Sequence, residues 1–211
     1  MNKIGFDVAI LGNHEFDYGI EQLINLENNI TCGYICANFC YRKNKTQIFK
    51  PYKIINKGGR KIAFIGILTP LTFSKTYLSH LKDKDGEPIY DFYTDNNTQE
   101  LYDRIQNYIN ILKNEENVDY VILLTHIGMN TELYTSDYLL SKIEGVNAIL
   151  DGHTHAIYNK TLKDKNNNDI YIAQGGTKLE AIGKLILKKD GTISSEIITE
   201  IPEPDDKTMS I

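Results

Sequence analysis

No stretch of this sequence approaches the ~20 consecutive apolar residues of a membrane-spanning helix, so it carries no candidate span. Arginine is nearly missing: of 23 basic residues only Arg42, Arg60 and Arg104 are arginines. With a formal net charge of −5, the chain is no nucleic-acid-polymer binder driven by phosphate contacts. The lysine excess, with abundant Asn and Ile, reads as codon bias and lowers the meaning of polar runs such as 163–169. No basic-then-apolar stretch opens the sequence, so no signal peptide is visible, and no internal repeat is found. Cysteine is scarce too. Cys32, Cys36 and Cys40 are odd in number and have no second cluster, which excludes a disulfide framework. Their spacing of four is not the two-residue gap common in zinc or iron–sulfur clips. They are expected to be packing cysteines on one face of a strand-like run.

What is present suits one domain. A chain of 211 residues with 41% hydrophobic content can bury roughly 70% of the surface its unfolded form exposes. Phe6 to Leu11, Tyr34 to Asn38, Tyr120 to Leu124 and Asn147 to Leu150 read as short strands. Tyr52 to Asn56 and Lys61 to Leu68 flank a Lys-Gly-Gly-Arg turn and predict a hairpin whose second arm is buried on both faces. Helices are predicted over Ile20 to Glu27, Asn97 to Lys113 and Asp137 to Ile143. In the second, Leu101, Ile105, Tyr108 and Leu112 form one stripe, and Asn97 with Glu100 resembles a capping box. Residues 71–96 read as a loop or insertion. Ile170 to Gln174, Ala181 to Leu187 and Ile193 to Ile201 are predicted strands, and 202–211 a linker or tail. Strands alternating with helices, then a run of strands, give an α/β layered fold.

Four of the five histidines share one kind of address. Asn13-His14 follow the first strand, His126 follows Tyr120 to Leu124, and His153 and His155 follow Asn147 to Leu150. In open α/β sheets, ligands bind at the carboxyl ends of strands. Imidazole is the commonest neutral metal ligand. Three strand ends delivering imidazoles, with the oxygen-bearing Asn13 beside them, predict that Asn13, His14, His126, His153 and His155 cluster in one small pocket. His80 lies in the polar loop and is expected outside it. His14 and Asp17, three apart, are expected to pair through an imidazole–carboxylate hydrogen bond, the alternative being that Asp17 caps the following helix.

These residues carry a resemblance. Gly12-Asn13-His14-Glu15-Phe16-Asp17 resembles the Gly-Asn-His-Glu signature of calcineurin-like metallophosphoesterases, in the extended form of the 5′-nucleotidase and UDP-sugar hydrolase branch. Leu124-Thr125-His126-Ile127-Gly128 is similar to that family's next metal motif, and Asp151-Gly152-His153-Thr154-His155 to its Gly-His-x-His motif. Ala173 to Gly176 and Gly183 to Leu185 resemble the strands that close its catalytic domain. The resemblance runs in order from residue 1 to about 200 and implies a layered β-sandwich flanked by helices. It implies a catalytic domain over 1–201 that hydrolyses phosphate monoesters, 5′-nucleotides or related esters, through a metal-bound hydroxide. The cofactors implied are divalent ions (Zn, Mn, Mg or Ca). Asn13, His126 and His153 would hold one metal and His155 would belong to the other. His14 would contact the phosphoryl group or leaving oxygen, oriented by Asp17. Relatives of this kind are often periplasmic, secreted or displayed at the cell surface.

The sequence also departs from the pattern. The family's Asp-x-His and Gly-Asp motifs do not occur upstream of Gly12, and no Gly-Asp dipeptide occurs anywhere. The expectation is an N-terminally truncated catalytic domain that holds at most one metal and is inactive as written for lack of the bridging aspartate. A second expectation is that the parent carries a C-terminal domain binding the rest of a small nucleotide-like substrate. Two other readings stay open: a pseudoenzyme or binding module of the same fold, and a metal protein built on Cys32, Cys36 and Cys40.

Overall fold

In a computed structural model the protein is described over residues 1–72, 78–94, 98–129 and 134–200. A six-stranded sheet organises it, in the order β4–β5–β7–β8–β10–β9. Its strands are β4 (Tyr52–Lys57), β5 (Arg60–Leu68), β7 (Tyr120–His126), β8 (Ala148–Leu150), β9 (Ile157–Lys163) and β10 (Asp169–Gly175). The four central strands β5, β7, β8 and β10 run parallel, and β4 and β9 close the two sides antiparallel. The parallel core therefore brings the carboxyl ends of four strands to one edge. Leu68 pairs with His126 in register there, and Leu124 with Leu150.

Alternation along the strands divides the core in two. Ala63, Ile65 and Ile67 of β5, with Val121 and Leu123 of β7, face a long helix, α2 (Gln99–Asn114). That helix answers with Leu101, Ile105, Ile109 and Leu112, a stripe at helical spacing that is almost fully buried. The intervening residues, among them Ile62, Phe64, Ile122 and Tyr120, face the opposite side. There they pack with Leu185 and Leu187 of β11 (Ile182–Leu187) and Ile193 of β12 (Ile193–Ile198). The β11–β12 hairpin forms the second leaf of the sandwich.

A second cluster anchors the chain before the sheet. The short strands β1 (Ala9–Ile10) and β2 (Tyr34–Ile35) pair in parallel, with α1 (Ile20–Asn29) between them. β3 (Cys40–Tyr41) pairs antiparallel with β6 (Tyr90–Asp91). Phe16, Phe39, Phe49 and Phe92 meet at its centre, with Phe16 set edge-on to Phe39 at 5.0 Å between ring centroids.

Several expectations need adjustment. The run from Tyr34 is not one strand: β2 ends at Ile35 and β3 begins at Cys40. The break turns Cys36 into the Phe16 cluster and Cys40 into the α2-facing core, so the cysteines do not share a face. All three thiols are free and buried. Residues 71–96 contain a 3-10 turn (Leu78–Leu81) and β6, where a loop was expected. The polar edge strand β9 was not foreseen: its exposed Asn159, Lys160, Thr161 and Lys163 leave little apolar pattern to read. The short helix near 140 is α3 (Ser136–Leu140). Asn97, Ile201 and the linker at 202–211 lie outside the described residues.

Candidate active site

Beyond β1 the chain enters a 3-10 turn, Asn13–Phe16. Glu15 fixes that turn by folding back so that its Oε2 accepts the Gly12 N–H at 2.6 Å. Burial raises the Glu15 pKa above the ordinary carboxylate value, against the Gly12 N–H, which lowers it. Phe16, on the inner side of the same turn, is wholly buried. The turn is thus held at both ends, and between them it presents Asn13 inward and His14 outward.

Asn13 is 4% exposed, and its Oδ1 lies 3.1 Å from His126 Nε2 and 3.2 Å from His153 Nδ1. The two imidazoles meet edge to face, with ring centroids 5.1 Å apart. His126 is the last residue of β7, and His153 stands in the loop after β8. Burial lowers the His126 pKa to about 4, and the imidazoles of His153, His14 and His155 push it the same way. Its ring is therefore neutral, with a lone pair available, at any pH near 7. That coupling also places His14 and His155 in the electrostatic neighbourhood of His126. His14 is turned toward solvent, with its side chain 73% exposed, and its Nδ1 stands 2.8 Å from Asp17 Oδ2. His155 is exposed. His153 and His155 both hold positive φ, 84° and 57°, a region non-glycine residues seldom occupy and one associated with functional sites. His80 lies elsewhere, against Gly19 and 3.5 Å from the Phe16 carbonyl oxygen.

The donor set can be tested against a metal ion. Among the described residues no three His, Cys, Asp or Glu side chains converge on one point. The convergence here is two imidazoles and an amide oxygen. Ligands at about 2.0–2.1 Å from a cation stand about 2.9 Å apart at octahedral angles and about 3.4 Å apart at tetrahedral ones. The separations of 3.1 and 3.2 Å fall between those values. Neutral N and O donors at that spacing suit a divalent transition metal.

Behind the imidazoles lies a network that motif reading missed. Asp151, the residue after β8, accepts hydrogen bonds at Oδ1 from Thr125 Oγ1 (2.7 Å), Gly152 N (2.8 Å), Gly128 N (3.1 Å) and Ile127 N (3.4 Å). Its Oδ2 accepts from Ser136 Oγ (2.7 Å) and Tyr158 OH (2.8 Å). Tyr158 in turn accepts from Gln174 Nε2 at 2.9 Å. Burial first, then the Asp151 carboxylate, raise the Tyr158 pKa and keep its hydroxyl a donor. Only the position of Asp151 beside Gly-His-x-His could have signalled it, and Tyr158 sits on the unforeseen strand β9.

A model of the calcineurin-like phosphoesterase family matches residues 2–156. The 2′,3′-cyclic-nucleotide 2′-phosphodiesterase/3′-nucleotidase of Salmonella typhimurium is 29% identical over 174 residues, which cover 75% of this chain and 25% of that protein. The solved NAD nucleotidase of Haemophilus influenzae superposes with a TM-score of 0.68 at 25% identity, over 91% of this chain and 38% of that one. The calcineurin-like phosphoesterase YfkN of Bacillus subtilis has the same fold, with a TM-score of 0.76 at 20% identity, over 100% of this chain and 69% of that one. The chain spans 21% to 34% of the length of the curated relatives it matches first.

Proposed function

Because the chain belongs to the calcineurin-like phosphoesterase family, we propose that it forms the metal-binding part of a site that hydrolyses phosphate monoesters, with nucleotides as the substrate class. The observation that carries this reading is the convergence of Asn13 Oδ1, His126 Nε2 and His153 Nδ1. These three residues would hold one divalent cation, and His155 would belong to a second. A cation there would supply charge to neutralise phosphoryl oxygens and to lower the pKa of a water. His14 faces solvent beside the triad, where it meets the phosphoryl group or the leaving oxygen. Asp17 fixes its ring by accepting from Nδ1, so that Nε2 points outward to the ester. Nucleotide specificity draws on the names of the relatives, which act on nucleotides or NAD.

These 211 residues supply three neutral ligands for one cation and a single imidazole for the other. Two dications a few ångströms apart repel far more strongly than neutral imidazoles can offset. On this reading the polypeptide as written binds at most one cation and hydrolyses phosphate monoesters poorly or not at all. Calorimetric titration with Mn²⁺ or Zn²⁺ tests the first statement: one site, abolished by His153→Ala, is expected, and no binding refutes it. Phosphate release from 5′-AMP and p-nitrophenyl phosphate tests the second. Robust metal-dependent turnover lost in His153→Ala would overturn it. Folding with no metal uptake and no turnover is what the pseudoenzyme reading requires.

A further inference from the structure

One carboxylate, that of Asp151, joins the end of β7, which carries His126, to the loop that carries His153. On the His126 side it takes the hydroxyl of Thr125, which is 1% exposed, and the N–H groups of Ile127 and Gly128. On the His153 side it takes the N–H of Gly152, and from β9 the hydroxyl of Tyr158. A third element, α3, contributes the wholly buried Ser136. The register pairs of β7 with β8 run from Ile122–Ala148 to Leu124–Leu150, so the ladder stops before the imidazoles begin. Past Leu124 and Leu150, the separation of the two loops is set by what bridges them.

We propose that Asp151 is a positioning residue that sets the spacing and orientation of His126 and His153 by tying the ends of β7 and β8 to one carboxylate. The proposal rests on the metal-site reading above, but its structural content does not need a metal. A carboxylate is suited to the task because it accepts at both oxygens and can take several N–H and O–H donors at once. An amide cannot: Asp151→Asn turns one acceptor into a donor facing Ser136 and Tyr158, both hydroxyl donors here. Outer partners of metal ligands typically change metal affinity by about 10–100-fold when altered.

The test uses Thr125→Val and Tyr158→Phe, which keep the negative charge and each remove one of the bonds that Asp151 accepts, alongside Asp151→Asn. The first readout is the imidazole ¹⁵N spectrum of His126 and His153 in the metal-free 211-residue chain. If Asp151 is the tie, Thr125→Val shifts His153 as well as its neighbour His126, and Tyr158→Phe shifts His126. A purely local role for either hydroxyl would move the imidazole of its own loop alone, or neither, and either result overturns the proposal. The second readout is the Mn²⁺ dissociation constant, measured well below the melting temperature of each variant. Asp151→Asn is expected to weaken it by about 10–100-fold and the two hydroxyl variants by a few-fold. Wild-type affinity in a folded Asp151→Asn also overturns the proposal. If that variant does not fold, the two hydroxyl variants decide. If wild type takes up no Mn²⁺, the metal reading fails while the spectra still judge the tie.

Discussion

Asn13 Oδ1 stands 3.1 Å from His126 Nε2, although 113 residues separate them in sequence. The contact closes the fold across one edge of the sheet, because one partner opens the 3-10 turn after β1 and the other ends β7. If it is half of a metal site, Asn13→Ala removes a ligand and leaves the imidazoles in place. Mn²⁺ affinity is then expected to fall at least about tenfold, or 1.4 kcal/mol. Stability should change by about 2 kcal/mol or less, within the usual range for one buried polar contact. Calorimetry and urea unfolding measure the two quantities, and unchanged affinity would remove Asn13 from the ligand set.

His14 and Asp17 form a pair of a different kind. Their side chains are 73% and 31% exposed, so the 2.8 Å contact contributes little to folding. Asp17→Asn should leave the urea midpoint and the Mn²⁺ affinity unchanged. It should release His14 from a single tautomer, visible in the imidazole ¹⁵N spectrum, and lower whatever phosphate release the chain supports by about 10–100-fold. A fall in stability with an unaltered His14 spectrum would assign Asp17 to the helix that follows.

Two glycines separate site geometry from backbone strain. A Cβ at Gly152 would lie 3.0 Å from His126 Nδ1, with the next atoms at 3.7 Å. Gly152→Ala therefore meets one imidazole, and should cost metal affinity more than stability. A Cβ at Gly128 would lie 2.4 Å from Thr154 Cγ2, and its φ of +78° is one that alanine resists. Gly128→Ala is expected to cost about 1–3 kcal/mol through overpacking and backbone strain. Urea unfolding with parallel Mn²⁺ titration distinguishes the two. Equal losses of stability would show that the Gly152 loop cannot move independently.

The parts of this molecule legible in the sequence are those with a strong local period. The α2 stripe at Leu101, Ile105 and Leu112 and the β4–β5 hairpin around Gly58-Gly59 stand where patterning put them. His126 and His153 could be brought together from sequence because they stand at or just past the ends of parallel strands of one sheet, and Asn13 because it follows the apolar end of β1. What escaped has no period. β9 is half polar because it is an edge strand with one side to solvent, and the β2–β3 break depends on a turn with no Gly-Pro mark. The Asp151 network escaped for another reason: its donors come from β7, α3 and β9, and no spacing in one dimension records that they meet.

The depressed His126 pKa has a consequence for folding. In the unfolded chain this imidazole protonates near its ordinary value of 6.5; in the folded, metal-free chain burial and the facing imidazoles of His153, His14 and His155 hold it to about 4. Between those values the unfolded state binds the extra proton, so stability rises with pH across the window. The contribution is whole above pH 6.5 and is lost progressively as the pH falls through about 4. The full shift corresponds to a loss on the order of 3 kcal/mol. The measurement is urea unfolding in the presence of a chelator at intervals from pH 7.5 to 4, on wild type and His126→Asn. Carboxylates titrate in both, so the difference between the two curves isolates the imidazole. Wild type should lose more stability than the variant as the pH falls from 6.5 toward 4, and the curves should run parallel above pH 7. Parallel curves throughout would mean that His126 protonates as readily folded as unfolded, and that the imidazole cluster is open to water rather than closed around Asn13.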